Sequence, residues 1–510
     1  MVGRVMSVGG DGRWVETLAE CFDAVLFDVG GTLVEPAAPA TPLSELVPQL
    51  RPGVVEALRA LEGSVQLGVV TNTAVMDAEQ VRGHLRSVGI ADLFDTVVAT
   101  APLGVHKPDP APVRVALERI GVAPERALYI GDSVDDERAA AAAGVTFGFV
   151  GPDLVWTLER LTRQGFTPQA GWCPPPRREP DPGCAAACQD RFDRLAKPPG
   201  SLGALEETLC RLAGIRREPL PAVDPAVCAV FVADHGVAES DVVTPWPWTI
   251  SRQVAGLLAS GRGLGSTLAR AAGVTLEVID VGIATGATPP GVRNERVRPG
   301  AGDIRSGLTM EHHEVEAALA VGARTAERLV AGGARTLCVG EVGIGNTTGA
   351  AALLAWLSGE DPMALTGRGA GIPDDALARK REVVAAAVAA VPDDTGPLEV
   401  LSRLGGLEVA AMAGFVAGAA SIGVPVVLDG VVTLAAAALA ERLVPGVRDA
   451  MVASHRSPEP AAAVGLELLG LRPLFELGIR TGEGGGAMLA VPLLRATREA
   501  LAGTATLDEL

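Results

Sequence analysis

Residues 340–350, GEVGIGNTTGA, restrict the architecture of this chain more than any other segment. They follow the apolar run Thr336-Leu-Cys-Val339 and precede the helix-like AALLAWL. A strand, a glycine-rich turn and a helix start in that order belong to a parallel α/β sheet. Backbone N–H groups at such a helix start converge on an anion, usually a phosphate. The spacing Gly340-x4-Gly345 matches the opening of a nucleotide-binding P-loop. The next residue, where a lysine would reach the terminal phosphates, is Asn346. The loop therefore reads as a phosphate site that does not work as an ATPase does. Glu341, at the strand end, sets a carboxylate beside that phosphate.

The same alternation runs through the chain. At 510 residues it exceeds one ordinary core, so at least two domains are expected. In the first, strands are predicted at 24–27, 65–70, 127–130 and 146–150. The Pro- and charge-dense run 171–184, GWCPPPRREPDPGC, predicts a linker without regular structure. The second domain has predicted strands at 229–232, 276–279, 336–339 and 424–428, with Ala-rich helices between them. The boundaries are set at 1–155, a linker over 156–184, and 185–510.

Composition excludes several classes. A net charge of −18 repels a nucleic-acid backbone and still allows a local basic pocket for one phosphate. The uncharged run 409–428 is long enough to suggest a membrane span. Its Ala, Gly, Ser421, Gly423 and Pro425 fit a buried helix followed by a strand better. Charged residues near the N-terminus interrupt any signal-like apolar run. The seven dispersed cysteines fit reduced thiols, and Cys184 with Cys188 lacks a second ligand pair for zinc. The cytoplasm is the expected compartment.

In the first domain, Asp28 ends a strand in FDVGGTL and Thr71 ends another in GVVTNT. Lys107 stands in HKPDP, and Asp132 and Asp136 lie in YIGDSVDDE. Parallel sheets gather chemistry at the C-terminal ends of their strands. A carboxylate nucleophile, a hydroxyl, an ammonium and two further acids would meet there, and the acids can hold Mg²⁺. Over about residues 20–150 this order resembles the haloacid dehalogenase (HAD) superfamily. The resemblance implies that Asp28 attacks phosphorus while Thr71 and Lys107 hold the phosphoryl oxygens and the nucleophile. It implies a Mg²⁺ site of Asp28, the Gly30 carbonyl, Asp132 and, through water, Asp136. Phosphatases of that family carry an Asp as general acid where this chain has Gly30. Residues 34–65 are also too few for the usual helical cap.

In the second domain the order is LAKPPGSLGALEE (195–207), ADHGV (233–237), the 340–350 loop, TGRGAG (366–371), VVLDG (426–430), ASHRSPEP (453–460) and LGIRTGEGGGA, which holds Glu483. Glycines around Glu483 permit positive φ and close approach to a ligand. From about Cys188 onward this set resembles nicotinate-nucleotide:dimethylbenzimidazole phosphoribosyltransferases, the CobT family. The resemblance implies a Rossmann-like parallel domain with a small helical subdomain, forming a homodimer. It implies nicotinate mononucleotide as donor, a benzimidazole-type base as acceptor, and no cofactor for the transfer. Glu483 would be the general base, with Gly482 and Gly484 beside the substrate, and Glu341 would assist near the ribose. Gly343, Gly345, Asn346 and Thr347 would bind phosphate, with Lys380 as charge partner. Gln253 would touch the acceptor ring. Trp246 and Trp248 depart from the family's form there and either stack on the acceptor or fill a core. His455 is read as a core histidine held by a backbone partner, and His235 as part of a structural turn beside the pocket.

The leading expectation is a phosphoribosyltransferase fused behind a HAD-like domain that dephosphorylates a phosphomonoester, the transferase product being one candidate. The alternatives are a phosphatase whose C-terminal half sets specificity, or a HAD-like domain that serves as a non-catalytic module.

Overall fold

The computed structural model describes residues 13–35, 48–150, 153–164, 175–239, 243–247 and 249–510. The chain divides into two compact units, one over residues 1–173 and 330–332, the other over 174–329 and 333–510.

The first unit is a five-stranded parallel sheet. Its strands are β1 (Ala24–Phe27), β2 (Gln66–Thr71), β3 (Thr96–Ala99), β4 (Ala127–Gly131) and β5 (Thr146–Phe149), in the order β3-β2-β1-β4-β5. Side chains alternate across β1. Val25 and Phe27 join one buried cluster, and Ala24 and Leu26 join the other. Both faces are covered, as a parallel sheet requires. The order reverses at β1, so the crevice beyond the ends of β1 and β4 is where a ligand is expected. β3 has no counterpart among the predicted strands; its four residues, TVVA, are too short to show a period.

The second unit is a six-stranded parallel sheet of β6 (Ala226–Ala233), β7 (Thr275–Gly282), β8 (Arg293–Asn294), β9 (Thr336–Val342), β10 (Val426–Leu428) and β11 (Met451–Ala453). The order is β11-β10-β9-β6-β7-β8, with the reversal between β6 and β9. β10 begins two residues later than predicted. Pro425 has no N–H for the ladder, although its carbonyl still accepts from Leu337 N at 3.0 Å. β8 and β11 have no predicted counterpart either; two and three residues carry no pattern.

The first part of the uncharged run lies in a helix, Leu407–Ile422, buried along its whole length, and the end of the run forms β10. The Leu407–Ile422 helix crosses the helix His312–Ala331 with backbones almost touching. A Cβ on Gly414 would lie 1.9 Å from Leu319 O, and one on Gly322 1.7 Å from Ala411 O. The small residues that imitated a membrane span serve this close crossing. No helix among the described residues is long and apolar enough to cross a membrane.

The proposed linker needs correction. Leu154–Gln164 is a helix that runs into 156–184, and Pro182–Arg194 is another. Pro182 occupies the first helical position, where a missing N–H is harmless. Asp181 caps that helix by accepting from Gly183 N at 2.7 Å. Arg178 N also donates to Ala420 O at 3.0 Å, so residues before 185 already belong to the second unit.

Candidate active sites

In the first unit Asp28 follows β1, Thr71 closes β2 and Asp132 follows β4. Lys107 is brought to them by Asn72, whose Oδ1 accepts from Lys107 N at 2.9 Å. The Lys107 ammonium is buried and fully engaged. It donates to Asp28 Oδ1 at 2.7 Å, to Tyr129 Oη at 3.0 Å, and to Asp136 Oδ1. Burial pulls this ammonium down, but the facing Asp28 and Asp136 outweigh burial and hold it above the usual lysine value. Asp136 also belongs to the capping box of the helix Val134–Ala143, and its Oδ2 accepts from Ser133 Oγ at 2.6 Å. Both its oxygens are thus occupied.

Burial pushes Asp28 up to about 6 against the pull of Lys107. Burial, with the charges of Asp28 and Asp136, pushes Asp132 up to about 7. One oxygen from each of the three acids lies within 4.8 Å of the others. Three carboxylates against one ammonium leave a charge deficit that a hard divalent cation fits. Gly31 has φ +78, and a Cβ there would lie 1.9 Å from Asp132 Oδ2, so glycine admits the carboxylate. Around Gly30 a Cβ would meet nothing within 4 Å. No proton donor is attached at that position.

In the second unit a cavity of about 390 Å³ opens beyond the end of β9. Its wall includes Glu341, Gly343, Asn346, Thr347, Gly482 and Glu483. Gly345 turns the chain at φ +94 into the helix Asn346–Ser358. Asn346 Nδ2 donates to Glu341 Oε2. Burial first, then the charges of Glu408, Asp429 and Glu483, push Glu341 up to about 8, against the hydrogen bond from Asn346. Lys380 is fully buried on the helix Asp374–Ala389, and its Nζ donates to Thr347 Oγ1 at 2.8 Å. Burial lowers this ammonium to about 8, with Glu459 opposing.

Glu483 adopts φ +61, one of only two non-glycine residues with positive φ among those described. Such a conformation is retained where the surroundings over-determine it, and it clusters at functional sites. Glu483 N donates to Glu341 O at 3.0 Å. Gly340 makes the approach feasible, since a Cβ there would lie 2.1 Å from Gly484 N. The Glu483 carboxylate accepts from Gly265 N at 2.7 Å, in the first turn of the helix Leu264–Ala272. Burial raises its pKa, and that N–H opposes the rise.

Gln253 is not brought to this cavity. It lies on an exposed face of the helix Ile250–Ala259, while Ile250 and Val254, one turn apart, face the cavity. Trp246 lines the cavity with half its surface exposed; Trp248 lies outside the described residues. His455 stacks on Phe475 and hydrogen-bonds the Ile479 backbone, yet it also borders the cavity. His235 is buried and bonds Glu408 Oε1 at 2.6 Å beneath Gly345.

Three residues here have no role assigned from the sequence. Asp429 follows β10 and accepts from Gly486 N at 2.7 Å; burial raises it to about 7. Its signal is the acid closing VVLDG. Glu408 and Arg480 carry no signal apart from their neighbours. A broader cleft of about 540 Å³ beside β8 holds neither glycine loop nor any of these acids.

Two family models match the chain. One, described as phosphoribosyltransferase, covers residues 178–510. The other, described as haloacid dehalogenase-like hydrolase, covers residues 43–150 and so begins after Asp28 and Gly30. A nicotinate-nucleotide–dimethylbenzimidazole phosphoribosyltransferase of Salinispora tropica is 44% identical over 345 residues, covering 64% of this chain and 94% of that protein. The one from Thermus thermophilus is 43% identical over 323 residues, covering 63% and 96%. The crystal structure of CobT from Thermus thermophilus superimposes with a TM-score of 0.62 at 41% identity, over 64% of this chain and 98% of that one.

Proposed function

The chain belongs to the phosphoribosyltransferase family whose model spans residues 178–510, and from that membership we propose that it transfers the 5-phosphoribosyl group of nicotinate mononucleotide to 5,6-dimethylbenzimidazole or a related base. The products are nicotinate and α-ribazole 5′-phosphate. The observation that carries this reading is Lys380. Among the described residues this fully buried ammonium hydrogen-bonds one neutral hydroxyl, with the Glu459 charge acting on it from farther off, so an anion would complete its pairing. The Thr347 hydroxyl and the start of the helix Asn346–Ser358 supply the rest of a phosphate grip.

With the phosphate held there, the ribose lies toward Glu341 and Glu483. Glu341, at about 8, keeps its proton at neutral pH and donates a hydrogen bond. Glu483 acts as the base. Two carboxyls of differing environment thus divide acid and base roles. The acceptor's unprotonated ring nitrogen attacks C1′ from the face opposite nicotinate, and the proton on its other ring nitrogen passes to Glu483. The C1′–N bond breaks with its electron pair returning to the pyridinium, which leaves as nicotinate. Inversion gives the α-configuration. No cofactor takes part in this exchange.

For the first unit we infer phosphoryl transfer from a phosphomonoester to Asp28, with the transferase product as the candidate substrate. HAD-like domains generally use Mg²⁺; here Asp28, Asp132 and the Gly30 carbonyl would hold it, and Asp136 would orient Lys107. Bound there, it would offset phosphate charge. Lys107 fixes the Asp28 oxygen. The family's expectation of a cytoplasmic homodimer joined through the second unit accompanies the reading, and sedimentation tests it.

The deciding experiment mixes the protein with nicotinate mononucleotide and a panel of bases and follows free nicotinate. Asp28→Asn should leave this release intact. Its loss would favour a phosphatase in which the second unit only sets specificity.

A further inference from the structure

Arg480 is not used by the mechanism above. Four carboxyl groups line the transferase cavity, those of Glu341, Asp429, Glu459 and Glu483, and Arg480 is the one Lys or Arg among its lining residues. The residue is exposed and makes no hydrogen bond or ion pair among the described residues, although acids line the same cavity. Its backbone is tightly placed. Phe475 N donates to Ser454 O at 3.1 Å, His455 bonds the Ile479 backbone, and Glu483 N donates to Glu341 O at 3.0 Å. Arg480 therefore follows directly on the middle of three anchors and projects from a short, pinned segment.

The donor carries two anionic groups. Thr347 lines the cavity and Lys380 stands behind it, bonded to its hydroxyl; together they answer the phosphate. The ring carboxylate of the nicotinate half would otherwise enter a cavity walled by four acids and by the apolar Ile250, Val254 and Val431. A carboxylate desolvated there without a cation is strongly disfavoured. A guanidinium offers a planar, bidentate match to that group. We propose that Arg480 binds the ring carboxylate of the donor and so selects a nicotinate nucleotide over its uncharged nicotinamide analogue. This inference rests on the transferase reading and adds its donor specificity.

The test compares nicotinate mononucleotide with nicotinamide mononucleotide as donors for the wild type, Arg480→Gln and Arg480→Lys. In Arg480→Gln, kcat/KM for the nicotinate donor should fall by ~10- to 100-fold, as expected for a lost charge-assisted hydrogen bond. The nicotinamide donor should change less than about threefold by the same reasoning. Arg480→Lys should recover part of the loss. An equal fall for both donors, or an unchanged preference, overturns the proposal. A second arm titrates nicotinate alone into wild type and Arg480→Gln by calorimetry. Binding weakened only in the variant supports the contact, and equal binding refutes it. If the wild type turns over neither donor, the transferase reading fails, and the calorimetric arm still decides the role of Arg480.

Discussion

Both units place a buried lysine at the reversal of a parallel sheet, and the two lysines live opposite lives. Lys107 touches two carboxylates and a phenol, and its charge is held above the ordinary lysine range. Lys380 touches one hydroxyl, and its charge is held below that range, at about 8. The first lysine is paired within its own site, to Asp28 and Asp136, and leaves Asp132 for a cation. The second leaves a balance open for a ligand to close. Asp136 in the first unit has both oxygens occupied, whereas in the second unit burial, aided by neighbouring acids, raises Asp429 to about 7 and Glu341 to about 8. Burial raises acids in both units, Asp28 to about 6 and Asp132 to about 7 in the first; in the second they stand where the proposed chemistry moves a proton.

The strongest challenge to that contrast is Glu483→Gln. It should lower kcat for nicotinate release by ~10²–10⁴, the usual range for a positioned acid or base. KM for the donor should change little, because the proposed phosphate grip is elsewhere. Undiminished turnover would remove Glu483 from the mechanism and leave Asp429 or Glu341 as the base.

The lysines come next, and they should move stability in opposite directions. Lys107→Met strands Asp28 and Asp136 as buried carboxylates, which costs ~3–5 kcal/mol. That lysine's contribution is fully present at neutral pH and is lost only as pH rises through its raised pKa. Lys380 has the reverse sign. Holding it charged below pH 8 opposes folding, and the penalty fades as pH climbs from about 8 toward the ordinary 10.5. Lys380→Met should therefore stabilise the free protein at pH 7 by up to ~3 kcal/mol, at about 1.36 kcal/mol per pH unit. It should also raise KM for the donor. Calorimetry of the full chain should show one transition falling and the other rising. A fall in both would mean that Lys380 already has a partner in solution. In the wild type, transfer should decline as pH passes about 8, where Glu341 loses its proton and Lys380 its charge.

Much of this was written in the sequence, for identifiable reasons. The alternation of apolar runs with glycine turns announced two parallel sheets, because each turn must carry the chain across a face. Lys107 and the four surrounding polar residues were legible because each closes a strand or sits in a fixed local motif. Lys380 could be suspected but not distinguished from Arg379 and Arg381; the helix exposes Arg379 and buries Lys380, a difference of one position in rotation. The same rotation hid the cavity face of the helix Ile250–Ala259 and made Gln253 a plausible contact, whereas Ile250 and Val254 line the cavity. Glu408 was invisible, because its importance comes from a residue 173 positions away in the chain, His235. The strands β3, β8 and β11 were too short to carry a period of their own and exist because neighbours pair with them.

The smallest expected effect returns to the first unit and to Gly30. A Cβ at Gly30 would meet nothing within 4 Å, so the side chain of Gly30→Asp can start there without a clash. The new carboxyl would stand on the loop after Asp28, able to protonate a departing oxygen. An untuned acid should recover only about tenfold of the ~10²–10⁴ that a matched one provides. The gain should depend on the leaving group. Phosphate release from α-ribazole phosphate, whose alkoxide leaves poorly, should rise in the presence of Mg²⁺. Release from p-nitrophenyl phosphate, whose phenolate needs no proton, should not. Equal gains on both esters would mean that the substitution improved binding instead of proton transfer. No gain on either would mean that the first unit lacks more than one acid, and its kinship to Lys107-type phosphoryl sites would then be architectural only.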